Sequence, residues 1–117
     1  MDDTPDATAV TIENDRAIIA RPQAKMLDER ALRSLSQSLD AASGANAGIR
    51  LVILDLSRVS VLPSIALGSL LQMSHQCAAR RQTLKLAALQ PQIRKVLSLT
   101  RLDEVLQLAD SVDAALQ

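Results

Sequence analysis

The chain has 117 residues and a mass of 12.6 kDa, which suits one compact domain. Thirteen basic and thirteen acidic side chains cancel, so no overall charge would hold the chain on nucleic acid or on an anionic membrane. It contains no Phe, Tyr or Trp, which removes the aromatic side chains on which proteins stack nucleobases. We therefore expect no nucleic acid partner and no insertion into a membrane.

The single histidine, His75, and the single cysteine, Cys77, cannot form an intrachain disulfide or a metal site together. Two positions apart on a helix, their side chains point about 200° apart. We expect neither a metal nor another cofactor. The acidic N-terminus lacks the basic start and apolar run of a secretory signal, and no apolar run approaches the ~20 residues of a membrane span. These features predict a cytoplasmic protein.

The N-terminal part of the chain divides into a tail and the start of a sheet. Residues 1–8 are polar and acidic, and we expect a flexible tail ahead of a domain over residues 9–117. The apolar runs Val10–Ile12 and Ala17–Ala20 flank an Asn-Asp pair, which predicts a β-hairpin.

A first helix is predicted after the hairpin. Asp28 is placed as its N-cap, and Leu27 and Leu32 have the spacing of a hydrophobic staple around that cap. The apolar stripe then continues at helical spacing until Ser43 and Gly44, where we expect the helix to stop.

The centre of the chain combines a strand, a loop and a second helix. Residues 51–56 are almost continuously apolar, as in a strand buried on both faces of a sheet. Residues 57–63 form a loop, and a helix begins near Ser64. The predicted inner face of this helix consists of Leu67, Leu70, Leu71, Ser74, Cys77 and Ala78.

The C-terminal third repeats the alternation. A strand is predicted over Thr83–Leu89, a helix with Pro91 at its first position, and a short strand over Val105–Leu108. Asp110 or Ser111 would cap a final helix. Strands that alternate with helices predict a single α/β domain, with a mixed central sheet of four to five strands and packed helices.

Ser64 is the position best placed for chemistry, because it follows the carboxyl end of a buried strand and opens a helix. A phosphate on Ser64 would meet free backbone N–H groups and the positive end of the helix dipole. It would also bring close to two negative charges to a surface that otherwise carries apolar side chains. By spacing alone, a plain N-cap role for Ser64 is the simpler interpretation.

Several segments together resemble STAS domains, which include the bacterial anti-sigma factor antagonists. The resemblance covers residues 9–116 and is clearest from Leu51 to Leu102. The segments that carry it are Leu51–Val59, Ser64–Leu71, Leu84–Leu86, Gln90–Leu97 and Leu99–Leu102. Lys25–Asp28 partly matches a further segment of the family.

The resemblance implies a phosphorylation site and a protein-binding surface. The family's pattern is an Asp, a phosphorylated Ser, a second Ser and then Gly-Leu-Gly. In this chain, Ser64 keeps the acceptor serine and Gly68 the last glycine. Pro63 replaces the Asp, Ile65 replaces the second Ser, and Ala66 replaces the first Gly. The implied partner-binding residues are Leu62, Pro63, Ser64, Ile65, Ala66, Leu67 and Gly68.

The implied function is regulation of transcription without catalysis by this chain. Such antagonists, while unphosphorylated, dock onto an anti-sigma factor that is also a serine kinase, and docking frees a sigma factor. Phosphorylation of the serine blocks docking, and a serine phosphatase reverses the modification. STAS domains also serve as subunits of ABC-type lipid transporters that bind the transporter ATPase, and this alternative partner stays open.

Two other functions have less support in the sequence. A phosphoreceiver domain would need an acidic pair at the end of its first strand to hold a divalent ion beside Asp55. The chain offers no adjacent pair there, and Lys85 lies within a strand rather than at its end, so we expect Asp55 to fix the following loop. An enzyme is not supported either, because His75 lies in a polar part of a helix and no glycine-rich phosphate loop exists.

Overall fold

A computed structural model describes residues 8–117. The predicted tail lies outside the described residues except for Thr8, which begins the first strand. The elements, in chain order, are β1 (Thr8–Glu13), β2 (Ala17–Pro22), α1 (Glu29–Ala45), β3 (Leu51–Asp55), α2 (Ser64–Ala79), β4 (Thr83–Ala87), α3 (Pro91–Leu99), a 3-10 turn (Leu102–Glu104), β5 (Gln107–Ala109) and α4 (Val112–Leu116). Within residues 8–117, no helix is long and apolar enough to cross a membrane.

The five strands form one mixed sheet in the order β1-β2-β3-β4-β5. β1 pairs with β2 in antiparallel fashion, and the pairs from β2 to β5 are parallel. Ile53 in the central strand lies opposite Ile19 of β2 and Lys85 of β4. The structure confirms the predicted α/β domain with a mixed sheet, and it places Lys85 within its strand as expected.

The sheet has a large and a small apolar side. On the large side, Val52 and Leu54 of β3 belong to a buried cluster that includes the inner faces of α1, α2 and α3. On the small side, Ile53 packs in a cluster with Ala115 of α4. Lys85 Nζ donates a hydrogen bond of 3.1 Å to the carbonyl oxygen of Ala115, which ties the short helix to the sheet. Both faces of β3 are therefore covered, as its apolar sequence predicts.

The local signals near the N-terminus act as predicted. Asn14 and Asp15 adopt left-handed φ values of 52° and 57°, which the tight β1–β2 turn requires. At the start of α1, Asp28 Oδ1 accepts a hydrogen bond of 3.0 Å from the backbone N–H of Ala31. The two leucines of the predicted staple, Leu27 and Leu32, are both buried in the large cluster.

The first helix ends later than predicted. α1 passes through Ser43 and Gly44 and ends at Ala45, with Asn46 as its C-cap. No glycine has a positive φ, so Gly44 does not supply the left-handed residue that commonly ends a helix. Ser43 is turned inward, where it hydrogen-bonds to the side chain of Gln82.

The inner face of α2 is rotated relative to the prediction. Leu70 and Cys77 are buried as predicted, whereas Ala78 is exposed. Leu67, Leu71 and Ser74 are half-buried. The fully inward positions are Ala66, Leu70, Met73 and Cys77. The sequence pattern misses Ala66 and Met73 because Leu67 and Leu71 lie next to the true inner face on one side and shift the predicted face towards them.

Two predicted strands have different boundaries. β4 ends at Ala87 rather than Leu89, because Ala88 has a left-handed φ of 60° that breaks the extended backbone. The last strand begins at Gln107 rather than Val105, since a 3-10 turn precedes it and leaves Val105 59% exposed. Of the two predicted caps of α4, Ser111 is the one used: its Oγ accepts a hydrogen bond from the backbone N–H of Ala114.

Candidate functional site

The β3–α2 loop, residues 56–63, is fixed at its start by Asp55. Asp55 Oδ1 accepts a hydrogen bond of 3.0 Å from the backbone N–H of Ser57. Its Oδ2 accepts one of 2.9 Å from Arg21 Nε, and Arg21 in turn donates to Thr11 Oγ1 at 3.3 Å. The predicted role of Asp55 as the residue that fixes this loop is confirmed. One side chain thereby connects the ends of β2 and β3 to the loop that leads to Ser64.

The far end of the same loop is held by the segment before α1. The carbonyl oxygen of Lys25 accepts hydrogen bonds from the backbone N–H groups of Ser60 at 2.7 Å and Val61 at 3.0 Å. The N–H of Leu27 donates to the carbonyl of Val61 at 3.2 Å. This pairing places Met26 opposite Val61 in a short parallel bridge.

Ser64 is the first residue of α2, and the helix begins there without a side-chain cap. The N-cap position belongs to Pro63, which has extended backbone angles and no capping side chain. Ser64 is exposed, and its hydroxyl hydrogen-bonds to no other residue in the range 8–117. The interpretation of Ser64 as an N-cap is therefore wrong. The first turn of α2 also contains no acidic residue that would offset the helix dipole.

The residues expected to face a partner fall into three groups. Ser64, Ile65 and Gly68 are exposed, and a Cβ added at Gly68 would meet nothing within 4 Å. Leu62, Pro63 and Leu67 are half-buried. Ala66 has 0% exposure and packs in the large cluster, because it lies on the inward seam of α2 one turn before Leu70. The structure thus removes the Ala66 side chain from the expected surface.

Two exposed apolar side chains beside Ser64 escaped the sequence analysis. Met26 is 44% exposed, Val61 43% and Ile65 52%, and we call these three residues the apolar patch. Val61 and Met26 are brought together by the loop pairing, which no sequence pattern reveals. The available signal was a β-branched apolar residue inside a loop. Ile65 also lines a groove of about 320 Å³ between α1 and α2, whose walls include the polar Arg33 and Gln72.

The remaining chemically reactive side chains lie away from Ser64. His75 is exposed on the middle of α2, and Cys77 is buried near the end of that helix. Burial raises the pKa of the Cys77 thiol above its ordinary value of 9.0. The nearby Arg80 opposes this shift and Asp40 reinforces it. Across residues 8–117, no three His, Cys, Asp or Glu side chains come together as a metal site would require.

Comparison with protein families identifies the fold. The model of the STAS domain family matches residues 8–115, and the chain therefore belongs to the STAS domain family. The search of curated proteins returned no match.

Solved structures show the same fold. An anti-sigma factor antagonist from Mycobacterium paratuberculosis is 23% identical with a TM-score of 0.71, over 97% of this chain and 94% of that one. The anti-sigma factor antagonist SpoIIAA in its unphosphorylated form is 17% identical with a TM-score of 0.65, over 92% and 91% of the two chains. A sulfate transporter family protein from Wolinella succinogenes is 22% identical with a TM-score of 0.73, over 97% and 93%.

Proposed function

We propose that this chain is a cytoplasmic anti-sigma factor antagonist that uses the start of α2 to bind an anti-sigma factor with serine kinase activity. Binding releases the sigma factor, and phosphorylation of Ser64 ends the interaction. The observation that carries the proposal is an exposed serine with a free hydroxyl at an uncapped helix start, next to the apolar patch. The chain itself acts as a binding module rather than an enzyme.

The modification needs only one group from this chain. Ser64 Oγ attacks the γ-phosphorus of ATP held by the partner kinase, a base of the kinase takes the hydroxyl proton, and ADP leaves. Because Ser64 Oγ bonds to no other residue in the described range, no internal contact has to break first. The resulting phosphate would lie at the positive end of α2, where backbone N–H groups stabilise anions.

The phosphate would end binding by changing a surface that is otherwise apolar. Ile65 directly follows Ser64, and Val61 precedes it by three residues. A phosphoserine carries about −1.5 to −2 charges at neutral pH. Burying those charges against a partner costs more free energy than the apolar contact returns, unless the partner supplies cations that pair with them. A serine phosphatase would restore the binding state.

The support for this partner comes from the family and from two antagonist structures with the same fold. Pro63 stands where the family has an Asp, so the kinase must accept a proline before the acceptor serine. Pro63 has the extended backbone of an N-cap residue, so the replacement leaves the start of α2 at Ser64.

A binding experiment with matched variants tests the proposal. Wild type, Ser64→Ala and Ser64→Asp serve as baits in lysate from the native cells, and bound proteins are identified by mass spectrometry. Ser98→Asp is the control, because Ser98 is an exposed serine on α3. We expect wild type, Ser64→Ala and Ser98→Asp to retain an ATP-binding anti-sigma factor that Ser64→Asp loses.

The contradicting results are equally specific. A transporter ATPase retained by wild type and Ser64→Asp alike would make this chain a transporter subunit. Equal retention of the anti-sigma factor by Ser64→Ala and Ser64→Asp would remove the switch at Ser64.

A further inference from the structure

Two exposed cations, Lys25 and Arg58, lie close in sequence to residues of the apolar patch. Lys25 directly precedes Met26, and Arg58 lies three residues before Val61 in the β3–α2 loop. Both side chains are exposed, and neither forms an ion pair or hydrogen bond with another residue in the described part of the chain. Along the chain, two cations therefore flank the residues of the apolar patch.

The acidic side chains of the same region are already engaged. Asp28 caps α1, where the helix dipole favours its negative charge. Glu29 lies 4.0 Å from Arg33, and Asp55 lies 2.9 Å from Arg21. Glu29 and Asp55 each lie beside an arginine, so Lys25 and Arg58 outnumber the one remaining carboxylate, Asp28, and the local balance is positive although the chain as a whole is neutral.

From this arrangement we propose that the protein partner presents an apolar socket with Asp or Glu side chains at its rim, which face Lys25 and Arg58. The inference rests on the proposed function, since it names the chemistry of the partner at the Ser64 surface. Met26, Val61 and Ile65 supply the apolar contact. Complementary charges at an interface rim steer association and exclude wrong partners.

With an acidic rim on the partner, phosphorylation of Ser64 would cancel the electrostatic attraction between the two proteins. The close to two negative charges of a phosphoserine offset the two cations, Lys25 and Arg58. The acidic rim of the partner, which the unphosphorylated surface attracts, is then no longer attracted to the surface around Ser64 or is repelled by it. The off state is therefore electrostatic, and salt should reduce the difference between wild type and Ser64→Asp.

Affinity measurements test the rim. The anti-sigma factor identified in the binding experiment is purified and titrated with wild type, Lys25→Glu, Arg58→Glu and the control Lys95→Glu. Lys95 is also exposed but lies on α3. We expect each of the first two reversals to weaken binding about tenfold or more at low salt, with Lys95→Glu close to wild type. The wild-type Kd should rise with salt, and less steeply in the two reversed variants.

Zero-length cross-linking identifies the partner's groups directly. A carbodiimide activates a carboxylate of the partner, the Lys25 amine attacks it, and an amide forms while the carbodiimide leaves as a urea. We expect a cross-linked peptide that joins Lys25 to an Asp or Glu of the anti-sigma factor. Lys25→Arg should keep the affinity, because it keeps the charge, and lose this cross-link.

The outcomes separate the two proposals. If wild type retains an anti-sigma factor in a Ser64-dependent manner but neither reversal nor salt changes the affinity, the acidic rim is wrong and the proposed function stands. If wild type retains no anti-sigma factor, both proposals fail. Binding of wild type to anionic vesicles of phosphatidylglycerol, lost in Lys25→Glu, would assign the cations to a membrane surface and overturn the acidic protein partner.

Discussion

The two ends of α2 are built in opposite ways. At the C-terminal end, Arg80 forms an ion pair with Asp40 of α1, and the N–H of Gln82 donates to the carbonyl of Cys77 at 2.7 Å. The buried Gln82 side chain then hydrogen-bonds to Ser43 and to the carbonyl of Ile49. At the N-terminal end, Pro63 provides no side-chain cap, and Ser64 and Ile65 face outward.

This difference separates an end of α2 whose side chains stabilise the fold from an end whose side chains remain exposed to solvent. Polar contacts to α1 and to the loop before β3 fix the C-terminal end of the helix. The N-terminal end is held by backbone pairing of its loop, so its side chains remain accessible. A missing cap typically costs a protein about 1 kcal/mol, so the start of α2 lacks a stabilising bond of the kind that Asp28 provides to α1.

The largest effect is expected in the middle of α2, on which both ends depend. Leu70 has 0% exposure in the large cluster, so Leu70→Ala should lower the free energy of unfolding by about 2–5 kcal/mol. Urea unfolding measures this change. The half-buried Leu71 is the control, and Leu71→Ala should cost less. Equal losses would show that Leu70 is not the residue that anchors the helix.

The C-terminal end should be sensitive to loss of its buried amide. Gln82→Ala leaves Ser43 Oγ and the carbonyl of Ile49 without the bonds of 3.3 and 3.2 Å that Gln82 Nε2 donates. We expect a loss of about 1–3 kcal/mol in the free energy of unfolding. Gln76→Ala, at an exposed position on α2, should change it by less than about 0.5 kcal/mol. A negligible effect of Gln82→Ala would remove the contrast between the two ends.

The N-terminal end should gain stability when it receives a cap. In Pro63→Asp, the carboxylate can accept a hydrogen bond from the N–H of Ile65 and lies at the positive end of α2. We expect a gain of about 0.5–2 kcal/mol in the free energy of unfolding, measured in urea. Pro63→Ala, which has no capping group, should show no gain. A loss in Pro63→Asp would mean that the proline ring itself holds this turn.

The smallest effect is expected from Cys77 at alkaline pH. Burial raises the pKa of the folded thiol above 9.0, so the folded state favours the protonated form more than the unfolded state does. The associated stability is complete below the unfolded pKa and is lost as the pH rises towards the folded pKa. Thermal unfolding between neutral pH and pH ~10 measures this alkaline loss of stability, which should be smaller in Cys77→Ala than in wild type. A steeper alkaline loss in the variant would contradict it.

Much of the fold could be predicted from the sequence because its local signals are strong. The Asn-Asp turn, the Asp28 cap and the apolar run of β3 each have one physical interpretation, and the structure confirms all three. The errors arise where local patterns are ambiguous. Gly44 was predicted to end α1, but it keeps helical backbone angles and the helix continues past it. In α2, leucines next to the buried positions make the inner face hard to recognise from the sequence.

The candidate site could be predicted only in part. Ser64 was selected as a candidate because it combines a strand end, a helix start and the STAS resemblance, and the structure shows that it is exposed at the first position of α2. The apolar patch could not be found, since Met26 and Val61 meet through backbone pairing of loops 35 residues apart. Ala66 was misplaced because surface position within a helix depends on the packing angle, which one sequence does not fix.

The most direct test of the central claim compares two exposed apolar residues. Ile65 at the start of α2 is 52% exposed, and Leu99 at the end of α3 is 75% exposed. Neither residue is needed for the core, so Ile65→Asp and Leu99→Asp should both fold with unchanged circular dichroism. The affinity of both variants and of wild type for the purified anti-sigma factor would be measured by calorimetry. Loss of at least about tenfold in Ile65→Asp with near wild-type affinity in Leu99→Asp is the predicted result. Unchanged affinity in Ile65→Asp, or a loss only in Leu99→Asp, would contradict docking at the start of α2.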